Sequence, residues 1–169
     1  MSQKKGKRRV TARDILFPLL SAFLAWADLH VKGISATMAG QMEGKVLIPG
    51  ILSFSYTENQ GMAFGMSQGQ SRVLFFVGIL ALGGFLFLYI HERAGESHLA
   101  WPGLCLASGG TVGNMVSRIR DGYVVDFLKF DLIRFPVFNL ADVFLVTGLL
   151  LVMLWLLLQK EEDLDKRGG

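Results

Sequence analysis

A chain of 169 residues fits one domain. With 51% hydrophobic residues and a mean hydropathy of +0.43, it is too apolar for a water-soluble protein unless much of it lies in lipid. The net charge is only +3, and the single cysteine, Cys105, excludes an internal disulfide framework and a cysteine-based metal site.

The chain opens on a basic cluster, Lys4, Lys5, Lys7, Arg8, Arg9 and Arg13. Such a cluster just before an apolar run more often fixes membrane orientation than binds nucleic acid, so no nucleic-acid partner is expected. The first apolar run, Ile15 to Ala27, is short alone, since a bilayer core takes ~20 residues. Extended through Asp28 and Lys32 it gives a first span over about 14–34. A signal-peptide reading fails because no small-residue cleavage site follows and three more apolar runs do. Pro18 falls in the first turn, where proline is tolerated.

Residues 73–90 form a second span without a charge, closed by His91, Glu92 and Arg93. The third, 99–118, is rich in small residues, including Gly103, Gly109, Gly110 and Gly113. Small residues let helices approach closely in a bilayer, so this helix is expected at the centre. The fourth, 140–158, precedes a charged tail. Four spans put both termini on one side, and the basic residues of 1–13 mark that side as the cytoplasm. One membrane domain is expected. Outside it, Pro49-Gly50 between two β-prone runs predicts a small sheet over about 44–66 at the outer membrane surface. Tyr123 to Phe130 reads as an interfacial amphipathic segment.

The polar residues gather at the outward ends of these spans. Asp28 and Lys32 are four apart on helix one, and Asn114 and Arg118 are four apart on helix three. Asn139 and Asp142 open helix four, where Asn139 suits an N-cap and an acid three residues on is favourable. Asn59 and Asp126 lie in the outer loops, Asp126 between Val124, Val125, Phe127 and Leu128. Ionisable groups at the edge of spans are functional candidates by default. An interfacial salt pair for Asp28–Lys32 and a snorkelling cation for Arg118 are the plainer alternatives. His30, His91 and His98 are scattered, so neither a metal site nor a cofactor is expected.

Two neighbouring carboxylates that share one proton can activate water without a metal. One acts as general base, and the protonated partner polarises a scissile carbonyl. No serine or cysteine nucleophile has a suitable partner in the sequence.

At this point the motifs resemble a family. Asp28-x-x-x-Lys32, Asn59-Gln60-Gly61-Met62-Ala63-Phe64, Gly109-Gly110-x-x-Gly113-Asn114, Val124-Val125-Asp126-Phe127 and Phe138-Asn139-Leu140-Ala141-Asp142 are similar, in order, to those of lipoprotein signal peptidase (signal peptidase II). The resemblance implies four transmembrane helices, a β-cradle and an amphipathic helix on the outer face of the bacterial cytoplasmic (inner) membrane. It implies an aspartic endopeptidase that removes signal peptides from diacylglyceryl-modified prolipoproteins, cleaving before the lipidated Cys. Asp126 and Asp142 look like its catalytic pair. Asn59, Gly61, Asn114, Arg118 and Asn139 look like residues lining the site, with Asp28 and Lys32 as support. Lipid-modified precursors and membrane lipids are the expected partners, and a monomer is the expected state. Two positions depart from the pattern: Leu29 where the family has Gln, and Ser117 where it has Asp. They leave open a non-catalytic paralogue that binds precursors or lipid. A small transporter using the acids as a proton relay fits less well, because the polar groups collect at one surface.

Overall fold

The structure, a computed structural model, describes residues 10–61, 71–91 and 94–168. Lys4 to Arg9, Met62-Ala63-Phe64 and Glu92-Arg93 lie outside these ranges. Helix α1 runs Ala12–Met42, followed by strands β1, Val46–Ile48, and β2, Leu52–Asn59. Helix α2 is Ser71–His91, α3 Ala100–Asp121, strand β3 Val124–Phe130 and α4 Leu140–Gly168.

The helices are longer than the apolar runs alone define. Helix α1 continues past residue 34 to Met42 and ends before Gly44, whose φ of 75° suits glycine. Nothing in residues 35–42 forbids helix, because polar and small residues stop a hydropathy run without stopping backbone hydrogen bonding. Helix α4 likewise extends beyond residue 158 into the charged tail. Among the described residues, Ala12–Met42, Ser71–Ile90 and Leu140–Lys160 are long and apolar enough to cross a membrane, with mean hydropathies of 1.4, 2.6 and 2.4.

Helix α3 has 22 residues, but its small and polar side chains lower its apolarity. It is nevertheless the central helix, packed against α1, α2 and α4. Its glycines make that possible. A Cβ at Gly103 would stand 2.9 Å from the Gly148 carbonyl oxygen, and one at Gly109 would stand 2.7 Å from Leu24 Cβ. Backbone therefore meets backbone where α3 crosses α4, the close packing that stabilises helices in lipid. Phe85, Tyr89, Leu104, Ala107, Val152 and Trp155 fill the cluster toward the other end of the bundle.

The sheet is antiparallel in the order β1-β2-β3. Tyr123 to Phe130, read from sequence as an interfacial amphipathic segment, is folded as an edge strand. Its run Val124-Val125-Asp126-Phe127 is buried on both faces, a setting that suits β-branched and aromatic side chains. Asn59 pairs with Val124 and Thr57 with Asp126, and the register shifts between Phe54 and Thr57. The chain then turns back along β3. Phe127 and Leu128 N–H both donate to the Phe138 carbonyl, at 3.0 and 2.8 Å, and Phe138 N–H donates to Leu128 O at 2.9 Å. This clasp delivers Asn139 and the start of α4 beside Asp126.

Candidate active site

Each polar side chain of the site is placed by a different element. Asn59 ends β2, Asp126 lies within β3, and Asn139 precedes α4. Asn114 is on α3, Asp28 and Lys32 on α1, and Asp142 in the first turn of α4. The loops and helix ends that carried these residues separately in sequence converge on one hydrogen-bonded network.

Asp126 is 3% exposed, with Val124, Val125 and Phe127 buried around it. Asn59 Nδ2 donates to its Oδ2 at 2.9 Å, and Asn139 Nδ2 donates to its Oδ1 at 2.6 Å. Burial raises the Asp126 carboxyl from its ordinary 3.8 to about 6, against the lowering effect of the Asn59 amide, and the charge of Asp142 pushes the same way as burial. Asn59 is itself oriented, because its Oδ1 accepts the Gly61 N–H at 3.0 Å.

Asp142 is more open than Asp126. Asn114 Nδ2 donates to its Oδ1 at 2.8 Å. Its Oδ2 accepts the Asn139 backbone N–H at 3.2 Å, while its own N–H donates to Asn139 Oδ1 at 3.0 Å. Asn139 and Asp142 thus cap the helix reciprocally, with Asp142 at a position where the helix dipole favours an anion. Asn139 does two jobs at once, since its carboxamide oxygen caps α4 and its nitrogen holds Asp126.

Behind the two carboxylates lies a buried ion pair. Lys32 Nζ donates to Asp28 Oδ2 and to Asn114 Oδ1, both at 2.7 Å. Asn139 Nδ2 lies 3.3 Å from the same Asn114 oxygen. With that oxygen committed as an acceptor, Asn114 must turn its nitrogen toward Asp142. Asp28 is fully buried, and its Oδ1 accepts the Ala141 N–H at 2.8 Å. The pair is therefore an internal strut between α1, α3 and α4. Its fit depends on Gly113, where a Cβ would stand 2.6 Å from Asp28 Oδ2. No sequence pattern flags the Ala141 N–H as a partner, because the bond joins backbone and side chain 113 residues apart.

Arg118 is joined to this network only at its edge: Nη1 donates to the Asn114 carbonyl at 3.2 Å. Among the described residues, its Nε is buried without a hydrogen-bond partner. The neighbouring Ser117 is buried and Leu29 half-buried.

Two carboxylates with unlike surroundings, linked through shared carboxamides, are equipped for acid–base chemistry on water. A family model for Signal peptidase (SPase) II matches residues 20–158. The lipoprotein signal peptidase of Lactobacillus gasseri is 32% identical over 152 residues, covering 90% of this chain and 98% of that one. That of Streptococcus thermophilus is 37% identical over 151 residues, covering 89% and 97%. A solved bacterial membrane enzyme, obtained by the in meso method, superimposes with a TM-score of 0.78 at 28% identity, covering 87% of this chain and 90% of that one. With its motifs, its helices and this match over most of its length, the chain belongs to the signal peptidase II family.

Proposed function

We propose that the protein is an aspartic endopeptidase that removes signal peptides from diacylglyceryl-modified prolipoproteins, cleaving before the lipidated Cys, with Asp126 and Asp142 as its catalytic pair. The observation that carries this reading is the pair of carboxylates held by Asn59, Asn114 and Asn139, one buried and one open. Membership of a protease family supplies the reaction class.

Asp142, with its helix-start position, is the general base. It takes a proton from a water as that water attacks the scissile carbonyl. Asp126 holds the complementary proton, because burial favours its neutral form. Both hydrogen bonds to Asp126 come from amide donors, so its own proton is directed to substrate or water. It protonates the carbonyl oxygen as the tetrahedral intermediate forms. Collapse of the intermediate breaks the C–N bond, the leaving amine takes a proton from Asp142, and Asp126 recovers its own from the gem-diol hydroxyl as that oxygen becomes the carbonyl of the new carboxyl group. Asn59, Asn114 and Asn139 keep the carboxylates oriented, Gly61 supports Asn59, and Asp28 and Lys32 brace the start of α4. Arg118, whose Nη1 bonds the Asn114 carbonyl, brings a positive charge to the edge of the site for substrate.

In this reading α3 crosses the bilayer with the three more apolar helices. Its polar groups face other helices, as lipid requires. Both termini lie in the cytoplasm, the sheet and carboxylates lie on the outer face of the bacterial inner membrane, and the single domain works as a monomer. Leu29 and Ser117 depart from the family pattern, yet the hydrogen bonds to the carboxylates come from other residues. That favours a working enzyme over a paralogue that only binds precursors or lipid. The test is to incubate the purified protein with a precursor before and after lipidation. A shortened product from the lipidated form alone is expected, whereas no product, or equal cleavage of both forms, rejects the assignment.

A further inference from the structure

The end of the sheet farthest from Asn59 has an unusual surface. Val46, Leu47, Ile48 and Ile51 in the β1–β2 hairpin, with Leu132 and Ile133 after β3, are between 41% and 70% exposed. All three residues of β1 are exposed, whereas a strand resting on a core in water exposes alternate residues. The two segments form one surface. Leu52 pairs with Phe130, Asp131 N–H donates to Ile51 O at 3.0 Å, and Ser53 Oγ donates to Asp131 Oδ1 at 2.8 Å. The packed rings of Phe130, Phe135 and Phe138 hold the loop from beneath.

Cations surround this apolar tip: Lys45, Lys129 and Arg134 are all exposed. The two acids nearby, also exposed, are hydrogen-bonded to the sheet, Asp131 with Ser53, and Glu43 with Ser55 Oγ at 3.1 Å and Tyr56 N–H at 2.8 Å. Contiguous apolar surface of this kind marks an interaction site. The chain also leaves the bilayer close by. Helix α1 has 31 residues, about 46 Å of helix against a hydrocarbon core of about 30 Å. It overshoots into the headgroup layer, and β1 begins four residues after it ends.

We propose that this tip inserts into the headgroup layer of the outer leaflet and binds anionic phospholipid, its aliphatic side chains reaching the upper acyl region and its cations meeting phosphates. Strand β2 then becomes a ruler. Its eight residues span roughly 25 Å, so fixing the tip fixes the distance of Asn59, and of Asp126 through its pairing with β2, from the anchored end. The anchoring does not depend on which reaction the carboxylates catalyse.

The experiment uses the full chain in nanodiscs of phosphatidylcholine, with or without phosphatidylglycerol. In a Cys105→Ala background, an environment-sensitive fluorophore is attached at Ile48→Cys, Ile133→Cys or, as control, Glu58→Cys. The tip labels should shift to the blue, resist iodide and be quenched by lipids brominated high on the acyl chain, while the control stays open to iodide. Phosphatidylglycerol should strengthen the tip signals, and Lys129→Gln/Arg134→Gln should remove that response. For the unlabelled Ile48→Ser/Ile133→Ser variant, KM for a lipidated precursor should rise several-fold with kcat unchanged. Tip labels as open to iodide as the control overturn the proposal. So does shielding that appears only when precursor is added, which would assign the surface to precursor polypeptide. Shielding indifferent to phosphatidylglycerol overturns the anionic preference.

Discussion

Replacing Asp126 by Asn should inactivate the protein and at the same time reverse its ranking in stability as pH changes. General acid–base assistance accounts for roughly 10²–10⁴-fold in rate, so cleavage of a lipidated precursor should fall by that order. The stability effect follows from burial. A carboxyl raised from 3.8 to about 6 is more stable protonated in the folded chain than in the unfolded one. Its contribution is fully present below pH 3.8 and is lost as pH rises to about 6 and beyond. The loss amounts to about 3 kcal/mol. Asparagine does not titrate, so the variant avoids this loss. It carries a fixed cost instead. Asn59 and Asn139 both donate to residue 126, and one of those donors would face the new NH₂ group. Turning Asn139 would break its cap on Asp142 N–H, and turning Asn59 would break its bond to Gly61, a loss of about 1–2 kcal/mol either way. The variant should therefore be less stable than wild type near pH 4 and more stable near pH 7.5. Thermal unfolding in detergent across that range, beside precursor cleavage on a gel, reads both effects. A stability difference that stays flat with pH would refute the buried-acid argument. Near-normal turnover in a well-expressed variant would refute the catalytic assignment.

Asp142→Asn should lose activity by a similar factor. The Asp126→Asn/Asp142→Asn double variant should be little worse than either single, because groups acting as a unit are not additive; single-turnover rates decide this. Asp28→Asn should destabilise the fold by about 3–5 kcal/mol, since it leaves the Lys32 ammonium buried without its counter-charge. In Asp28→Leu/Lys32→Met, denaturation should show much of that stability restored while cleavage stays low, because Asn114 and Ala141 N–H have still lost their partners. Gly113→Ala should cost about 1–3 kcal/mol and lower turnover, because the added methyl strikes a carboxylate with no room to move. Heat stability and precursor cleavage measured together would check it, and wild-type values for both would show that Asp28 is not confined.

The sequence by itself determined the membrane class, the four helices and the candidate carboxylates. Apolar runs long enough for a bilayer, an acid among Val124, Val125 and Phe127, and an Asn139–Asp142 helix start are local features, legible because each rests on neighbours in the chain. Local features also left parts open. Hydropathy marks a first span over about 14–34, and the helix itself runs on to Met42, because apolarity and helical hydrogen bonding stop for different reasons. Tyr123 to Phe130 is apolar enough to suggest an interfacial segment, and only pairing with β2 makes it a strand.

The tertiary structure decided how the polar residues divide their work. Asp28 and Lys32 look from sequence like either an interfacial salt pair or a functional one. Packing α1 against Gly113 buries them and turns Asp28 toward Ala141 N–H on another helix. Asn139 reads as a cap, but its second role at Asp126 exists only because the Phe138 clasp brings β3 alongside the start of α4. Hydropathy and helix spacing report on neighbours within about a turn. Hydrogen bonds that set the chemistry of two carboxylates join residues 67, 28 and 13 positions apart, and only the folded chain brings those atoms within 3 Å.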